Sequence, residues 1–258
     1  MFYEIALSRS GSTLLLQLCR PDRLNALDLA MWREVAEAIE GIRRTPDIRC
    51  IVISGAEANF AAGADLGEFA SERATPDQAA QYGKVMDRAL SAIRDCELPT
   101  IAAIEGACIG GGLQVAIACD LRIGAAGSRY GAPVAKIGVV MPFPEIGYLV
   151  ELVGHATALE ILLEGRIYDA AEARDKGLIG RIVEDGKVME EAIAAARRIE
   201  QGAPLSHRYH KQLIRRCLDP RPLTQADYAE GFAACASEDY AEGIRAFLEK
   251  RKPKFKGK

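Results

Sequence analysis

Three consecutive glycines at positions 110–112 constrain the fold of this chain more than any other feature. An apolar run at residues 100–104 precedes them, and a compact apolar segment without a helix breaker, residues 113–118, follows. Glycine loses more backbone entropy on folding than other residues, so three in a row indicate a sharp turn or a close approach to the main chain. The first N–H groups of a helix have no intrahelical partner, and the helix dipole favours negative charge there. The pattern therefore predicts a buried helix whose N terminus can hold an anion or a developing oxyanion.

Two other interpretations of the glycines stay open at this point. They could serve only to allow tight packing. A nucleotide-phosphate loop is the weaker alternative, because the run matches neither G-x-G-x-x-G nor G-x-x-x-x-G-K-[ST]. Leu113 and Gln114 stand where the second motif needs Lys and then Ser or Thr.

A second loop of small residues lies at positions 59–66, after the apolar run 50–53. The uninterrupted run predicts a strand that is buried on both faces. In open α/β sheets, ligands bind in the crevice outside the carboxyl ends of the strands. Two such loops predict paired N–H donors that converge on one oxygen atom. The alternative is an ordinary turn into a helix with Asp65 as its N-cap.

The periodicity of the chain predicts an α/β fold followed by a helical extension. A hairpin is expected at residues 5–7 and 13–18, and strands at 50–53, 100–104 and 121–123, separated by helices. Such an alternation implies right-handed βαβ crossovers. From residue 148 onward we expect helices at 148–153, 156–164, 170–176, 188–200, 204–216, 225–235 and 242–250. We divide the chain into a core at residues 1–200 and a C-terminal helical region at residues 201–258.

Composition excludes several classes of function. A net charge of −3 gives no general attraction to nucleic acid or anionic membranes, although the tail at residues 250–258 is basic. We expect no membrane span, because no apolar run of 18 residues occurs, and no signal peptide. Seven cysteines without C-x-x-C spacing predict a reduced, cytoplasmic protein. The three histidines do not pair with Cys or Glu at metal-binding spacing, so we expect no metal site.

Several motifs in order resemble the crotonase family, which is the enoyl-CoA hydratase/isomerase superfamily. They are F-A-A-G-A-D at residues 60–65, the glycine block at 106–120, R-P at 20–21 with L-N-A-L at 24–27, the segment 165–182 and the tail 237–253. The resemblance extends essentially from end to end. It implies a spiral of ββα units with a C-terminal helical trimerisation region. Homotrimers, or dimers of trimers, are expected.

The resemblance also implies a function and a set of site residues. The ligand is an acyl-CoA thioester substrate, with no separate cofactor, and two backbone N–H groups hold the thioester oxygen while an enolate forms. By position those donors are Ala62 and Gly111. The residues implied in CoA binding are Arg23, Ala26, Ala61, Ala64, Asp65, Lys250 and Lys254.

The chain departs from the hydratases of that family at both of their glutamates. Gln114 and Val134 occupy those positions, and neither side chain can exchange protons near neutral pH. Glu145 stands in the segment 140–146, where the family usually has glycine, and is the candidate base. The alternative is that Glu145 is only a residue in the first turn of a helix, where the helix dipole favours a carboxylate. Weaker candidates, each expected to pack or cap, are Tyr130, Tyr148, His155 and Asp65.

We therefore expect isomerisation, or another enolate reaction with a single acid/base, in preference to simple hydration. One alternative is hydration by a rearranged pair of acids. Another is an acyl-CoA-binding protein that has kept the pocket and lost the chemistry. Exchange of the α proton of a saturated acyl-CoA with deuterated solvent would separate an enzyme from a binder.

Overall fold

The computed structural model describes residues 3–42, 45 and 47–258. Within those residues the strands are β1 (Ile5–Ser10), β2 (Thr13–Leu18), β3 (Cys50–Gly55), β4 (Thr100–Ile104), β5 (Ala107–Ile109), β6 (Leu121–Ala125), β7 (Arg129–Gly131) and β8 (Arg181–Val183). The α-helices are α1 (Leu29–Ile42), α2 (Phe69–Glu72), α3 (Pro76–Arg94), α4 (Gly111–Ala118), α5 (Phe143–Glu164), α6 (Ala170–Asp175), α7 (Val188–Glu200), α8 (Pro204–Leu218), α9 (Gln225–Glu230) and α10 (Glu238–Leu248).

The main sheet has the strand order β1-β2-β3-β4-β6-β8, and a second sheet pairs β5 with β7. Only β1 and β2 pair antiparallel; every other pair is parallel, as the predicted crossovers require. Alternate residues of β3 enter two different cores. Ile51 and Ile53 pack with α1, α3 and α4, whereas Cys50 and Val52 pack with α7. The sheet is thus covered on both faces, which confirms the predicted buried strand and the α/β class.

Helix boundaries differ from the sequence predictions where a cap decides them. The helix α3 starts at Pro76, because Thr75 and Gln78 form a capping box. Similarly, α10 starts at Glu238 because the Ser237 side chain accepts a hydrogen bond from the Tyr240 N–H. The continuous helix predicted at 225–235 is wrong, since α9 ends at Glu230 and a 3-10 helix follows at Ala233–Ala236.

The two helices expected at 148–153 and 156–164 are parts of α5, whose backbone leaves the helical region at Gly154 with φ 75° and ψ 163°. Among the described residues α5 is the one helix that is long and apolar enough to cross a membrane, judged by length and composition alone. That criterion is weak evidence for a span, and the expected absence of one stays a prediction.

The C-terminal helices are tied to the core by ionic contacts. The Lys211 ammonium on α8 contacts the Asp120 carboxylate at 2.6 Å and donates to the Leu98 carbonyl at 2.8 Å. Several large apolar side chains of this region are exposed, and they are Ile214, Leu218, Phe232, Ile244, Phe247 and Leu248. The proposed division at residue 200 stays a prediction.

Candidate active site

The two small-residue loops lie against each other at the carboxyl ends of β3 and β4. The Ala61 N–H donates to the Ala107 carbonyl at 2.8 Å, and the Ile109 N–H donates to the Ala61 carbonyl at 3.0 Å. A methyl group added at Gly112 would lie 2.3 Å from the Ala61 oxygen, and one added at Gly111 would lie 3.3 Å from the Ala64 nitrogen. The glycines are therefore required for a close approach of two backbones, which confirms the packing interpretation without excluding a second role.

Several backbone N–H groups at this junction have no hydrogen-bond acceptor among the described residues, as is usual in the first turn of a helix. They include those of Ala64, in the loop after β3, and of Gly111, the first residue of α4, and both residues line the cavity described below. The Ala62 N–H, in contrast, donates to the Leu24 carbonyl at 3.0 Å. The prediction of Ala62 as an oxyanion donor is therefore wrong, because its hydrogen is already used. The geometry favours Ala64 as the partner of Gly111.

Arg20 holds the Ala64 loop in place. Its guanidinium contacts Asp65 Oδ2 at 2.9 Å and Asp28 Oδ2 at 3.1 Å, and it donates to the Ala26 carbonyl at 2.8 Å. Around Ala64, the Leu27 N–H donates to the Gly63 carbonyl and the Asp65 N–H donates to the Leu27 carbonyl, both at 2.8 Å. Fixed neighbours on both sides pre-orient the Ala64 N–H.

Asp65 has a structural role. The Arg20 hydrogen bond holds the pKa of the Asp65 carboxyl below its usual range. Its Oδ1 also accepts from the Gly67 N–H at 2.9 Å, as an N-cap does. Both oxygens thus have partners, which confirms the capping alternative, and the contact of Asp65 with CoA stays a prediction.

A cavity of about 180 Å³ opens beside the two free N–H groups. That is smaller than the roughly 300–1,000 Å³ pockets that enclose drug-sized ligands, and it suits a short acyl chain better than a whole CoA ester. Its walls are mostly apolar, formed by Leu66, Phe69, Met86, Ile109, Val134, Ile137, Val139, Val140 and Met141. No carboxylate belongs to the described residues that line it.

Gln114 and Val134, at the two positions where the resemblance places glutamates, both line this cavity. The Gln114 side chain is only 6% exposed, and its amide makes no hydrogen bond to any described residue. An amide in this place can hold a water molecule or a substrate oxygen, but it cannot remove a proton. The structure therefore brings both substituted positions to the same cavity.

Glu145 lies behind the cavity wall rather than on it. The residue is 0% exposed, and neither carboxyl oxygen has a hydrogen-bond partner within the described part of the chain. Burial, with a smaller contribution from Asp87, raises the pKa of this carboxyl, and nearby Arg73 opposes the rise. Glu145 lies in the first turn of α5, and two residues that line the cavity, Met141 and Pro142, immediately precede that helix.

Arg73 is the one ionisable side chain among the described residues that line the cavity. It follows α2, and its guanidinium lies over the Phe69 ring at 4.4 Å and the Tyr82 ring at 5.1 Å from the ring centroids. Sequence reasoning missed Arg73, because nothing in the local pattern shows that the end of α2 faces the glycine loop.

The remaining residues predicted to bind CoA near the first turn differ in their exposure. Arg23 is 64% exposed on the turn beside Leu24, and Ala26 is half-buried with its carbonyl accepting from Arg20. Ala61 is fully buried, with both its N–H and its carbonyl bonded to neighbouring backbone. The prediction that Ala61 contacts CoA is therefore wrong, whereas Arg23 remains accessible.

The two tail lysines lie far from that turn in this chain. The Arg49 guanidinium donates to the Phe255 carbonyl at 2.6 Å, and the Lys254 N–H donates to Glu242 Oε1 at 2.9 Å. Arg49 precedes β3, so the tail sits at the amino end of a strand whose carboxyl end faces the cavity. Six residues of strand span about 20 Å. The structure does not bring Lys250 or Lys254 together with Arg23 within one chain.

Of the weaker candidates, Tyr130 and Tyr148 pack, whereas His155 is exposed and the expectation that it packs or caps is wrong. Tyr130 is fully buried, and the Tyr148 hydroxyl lies 3.3 Å from the Ser91 hydroxyl. Neither they nor His155 line the cavity. Groups of three or more His, Cys, Asp or Glu side chains placed to hold a metal ion do not occur among the residues that the structure describes.

The family model, the relatives and the solved structures that match this chain all belong to one family. Residues 8–258 match the family model described as enoyl-CoA hydratase/isomerase. A probable enoyl-CoA hydratase of Mycobacterium bovis is 36% identical over 262 residues, with 99% of both proteins covered. The crystal structure of an enoyl-CoA hydratase/carnithine racemase from Magnetospirillum magneticum is 46% identical, with a TM-score of 0.97 over 100% of this chain and 97% of that one. A putative enoyl-CoA hydratase/isomerase family protein from Hyphomonas neptunium is 38% identical, with a TM-score of 0.94 over 98% and 97% of the two chains. These likenesses confirm the fold expected from the resemblance.

Proposed function

Because the chain belongs to the enoyl-CoA hydratase/isomerase family, we propose that it moves a proton along the acyl chain of a CoA thioester through an enolate. The observation that supports this most directly is the pair of free N–H groups, Ala64 and Gly111, beside a mostly apolar cavity. Both donors can bind the thioester oxygen as negative charge develops on it. No cofactor other than the CoA of the substrate is needed for this chemistry.

Glu145 is the base in this proposal. Its carboxylate takes a proton from C2 of a 3-enoyl-CoA, the electrons pass to the thioester oxygen, and the same carboxyl returns the proton to C4. Its two oxygens are enclosed and Glu145 is not among the residues that line the cavity, so the side chain must change its rotamer to reach the substrate. A buried carboxyl without a partner is costly to keep, and a raised pKa makes its ionised form a stronger base.

Hydration is the second candidate, because the relatives above carry the name enoyl-CoA hydratase. Gln114 could position a water molecule in this cavity. Hydration also needs one group to deprotonate that water and another to deliver a proton to C2, and the Gln114 amide can do neither. Isomerisation needs one acid/base group instead of two, so we prefer it.

The test compares the two reactions on purified protein. We expect conversion of hex-3-enoyl-CoA to hex-2-enoyl-CoA, followed by chromatography and mass spectrometry, and deuterium uptake at C2 of hexanoyl-CoA. We expect weak or absent hydration of crotonyl-CoA. Efficient hydration of crotonyl-CoA would overturn the preference for isomerisation, and tight binding without deuterium uptake would indicate a binding protein.

Arg23 is proposed to contact the phosphates of CoA, since it is exposed next to the loop that carries the free N–H of Ala64. Exposed charge–phosphate contacts are screened by salt. We therefore expect the Kd for hexanoyl-CoA to rise with ionic strength, and to depend less on salt in Arg23→Ala. Calorimetric titration at two salt concentrations measures this. Hexanoyl-pantetheine, which lacks the nucleotide, is the control ligand, and an equal loss of affinity for both ligands would contradict the proposal.

The assembly is proposed to be a homotrimer or a dimer of trimers. Exposed apolar side chains on the C-terminal helices support burial against another copy, since Phe247 is 81% exposed and Leu248 is 74% exposed. The separation of Lys250 and Lys254 from Arg23 within one chain means that any role in CoA binding would be at a neighbouring subunit. A cytoplasmic location is proposed because the seven cysteines lack C-x-x-C spacing.

A further inference from the structure

The Arg73 guanidinium is a charge without a counter-ion in an otherwise apolar cavity. It has no ion pair and no side-chain hydrogen bond to any described residue, although most arginines of this chain have such partners. The edge-to-face pair of Phe69 and Tyr82, with centroids 6.2 Å apart, supports it from one side. Stacking on two rings fixes the plane of a guanidinium while leaving its N–H donors unused.

Given the proposed function of the cavity as the acyl site, we propose that Arg73 binds a terminal carboxylate on the acyl chain, so that the substrates are CoA monothioesters of dicarboxylic acids. A planar guanidinium with free N–H groups matches a carboxylate in a bidentate geometry. An apolar surrounding strengthens such a pair relative to water. The cavity volume of about 180 Å³ limits the chain between the two carboxyl carbons to a short one.

Glu145 does not fill this role for Arg73. The two side chains are close enough to interact through space, but they form no ion pair within 4.0 Å, and the Glu145 oxygens stay enclosed. Arg73 therefore keeps its N–H donors for a ligand in the cavity.

The experiment measures binding of saturated thioesters, which have no double bond to move or hydrate, so its result does not depend on which of those reactions is catalysed. Hexanoyl-CoA and adipyl-CoA have the same chain length and differ in the terminal carboxylate. We expect calorimetry to give at least a roughly tenfold lower Kd for adipyl-CoA, the gain of about one charge-assisted hydrogen bond. In Arg73→Leu the ratio of the Kd for hexanoyl-CoA to the Kd for adipyl-CoA, the preference ratio, should fall to about one or below it. Arg73→Lys should recover part of this preference.

Arg94→Leu is the matched control, because Arg94 also stacks on a ring, 4.3 Å from the centroid of Tyr148, but does not line the cavity. Its preference ratio should equal that of the unchanged protein. Equal Kd values for the two thioesters in the unchanged protein would overturn the proposal. So would an equal loss of affinity for both thioesters and for free CoA in Arg73→Leu, because Arg73 would then bind a phosphate. A failed isomerase assay with an intact adipyl-CoA preference would overturn only the proposed reaction.

Discussion

Replacing Gly111 by proline should lower kcat by about 10²–10³, the typical effect of removing one oxyanion donor. Gly111 is the first residue of α4, and proline is well tolerated at that position because the N–H there has no intrahelical partner. The substitution therefore removes the donor while the helix can still start. Initial rates of hex-3-enoyl-CoA isomerisation, or of deuterium uptake by hexanoyl-CoA, measure the effect.

Gly111→Ala is the control for the added atoms. A methyl group at this position would lie 3.2 Å from the Trp32 ring and 3.3 Å from the Ala64 nitrogen, so it introduces crowding but keeps the N–H. The difference between the proline and alanine variants isolates the hydrogen-bond donor. Equal activity of the two variants, with matching circular dichroism, would exclude Gly111 as an oxyanion donor.

Glu145→Gln should abolish proton transfer while leaving the Kd for hexanoyl-CoA within a factor of about two, because the amide cannot accept the C2 proton. The carboxylate is the active form, so activity in the unchanged protein should fall as pH decreases through the pKa of Glu145. Burial raises that pKa above 4.5, and the acid limb of the rate profile should lie above the ordinary glutamate range. Stopped assays across pH measure the limb. Full activity of Glu145→Gln would place the base elsewhere.

The same substitution should change stability in a direction that a surface glutamate would not show. The folded protein binds the Glu145 proton more tightly than the unfolded chain, so its contribution to folding is largest below pH 4.5 and is lost as pH rises through the raised pKa. At neutral pH, Glu145→Gln should therefore have a higher Tm than the unchanged protein. Glu238→Gln is the comparison, since Glu238 is exposed in the first turn of α10. An identical Tm for both variants at pH 5 and pH 8 would contradict a strongly desolvated Glu145.

Local pattern was sufficient for most of the fold. The buried strands β3 and β4 were predictable because strands covered on both faces need uninterrupted apolar runs, and the structure places their alternate residues in two cores. Helix ends were less predictable. Two helices begin several residues earlier than their apolar periodicity indicates, because Thr75 and Gln78 cap one and Ser237 caps the other. The first turns of these helices contain few apolar residues, so periodicity alone does not show where they begin.

The sequence by itself determined that two loops rich in small residues follow neighbouring strands, and that both usual glutamate positions are altered, to Gln114 and Val134. Only the tertiary structure decided which N–H groups are free, because Ala62 donates to Leu24, a residue distant in sequence, whereas Ala64 does not donate. It also decided that Arg73 faces the cavity and Glu145 lies behind its wall. The physical reason is that glycines and apolar runs are required by local backbone conformation and burial. The partner of a donor or a charge, in contrast, depends on which distant segment packs against it.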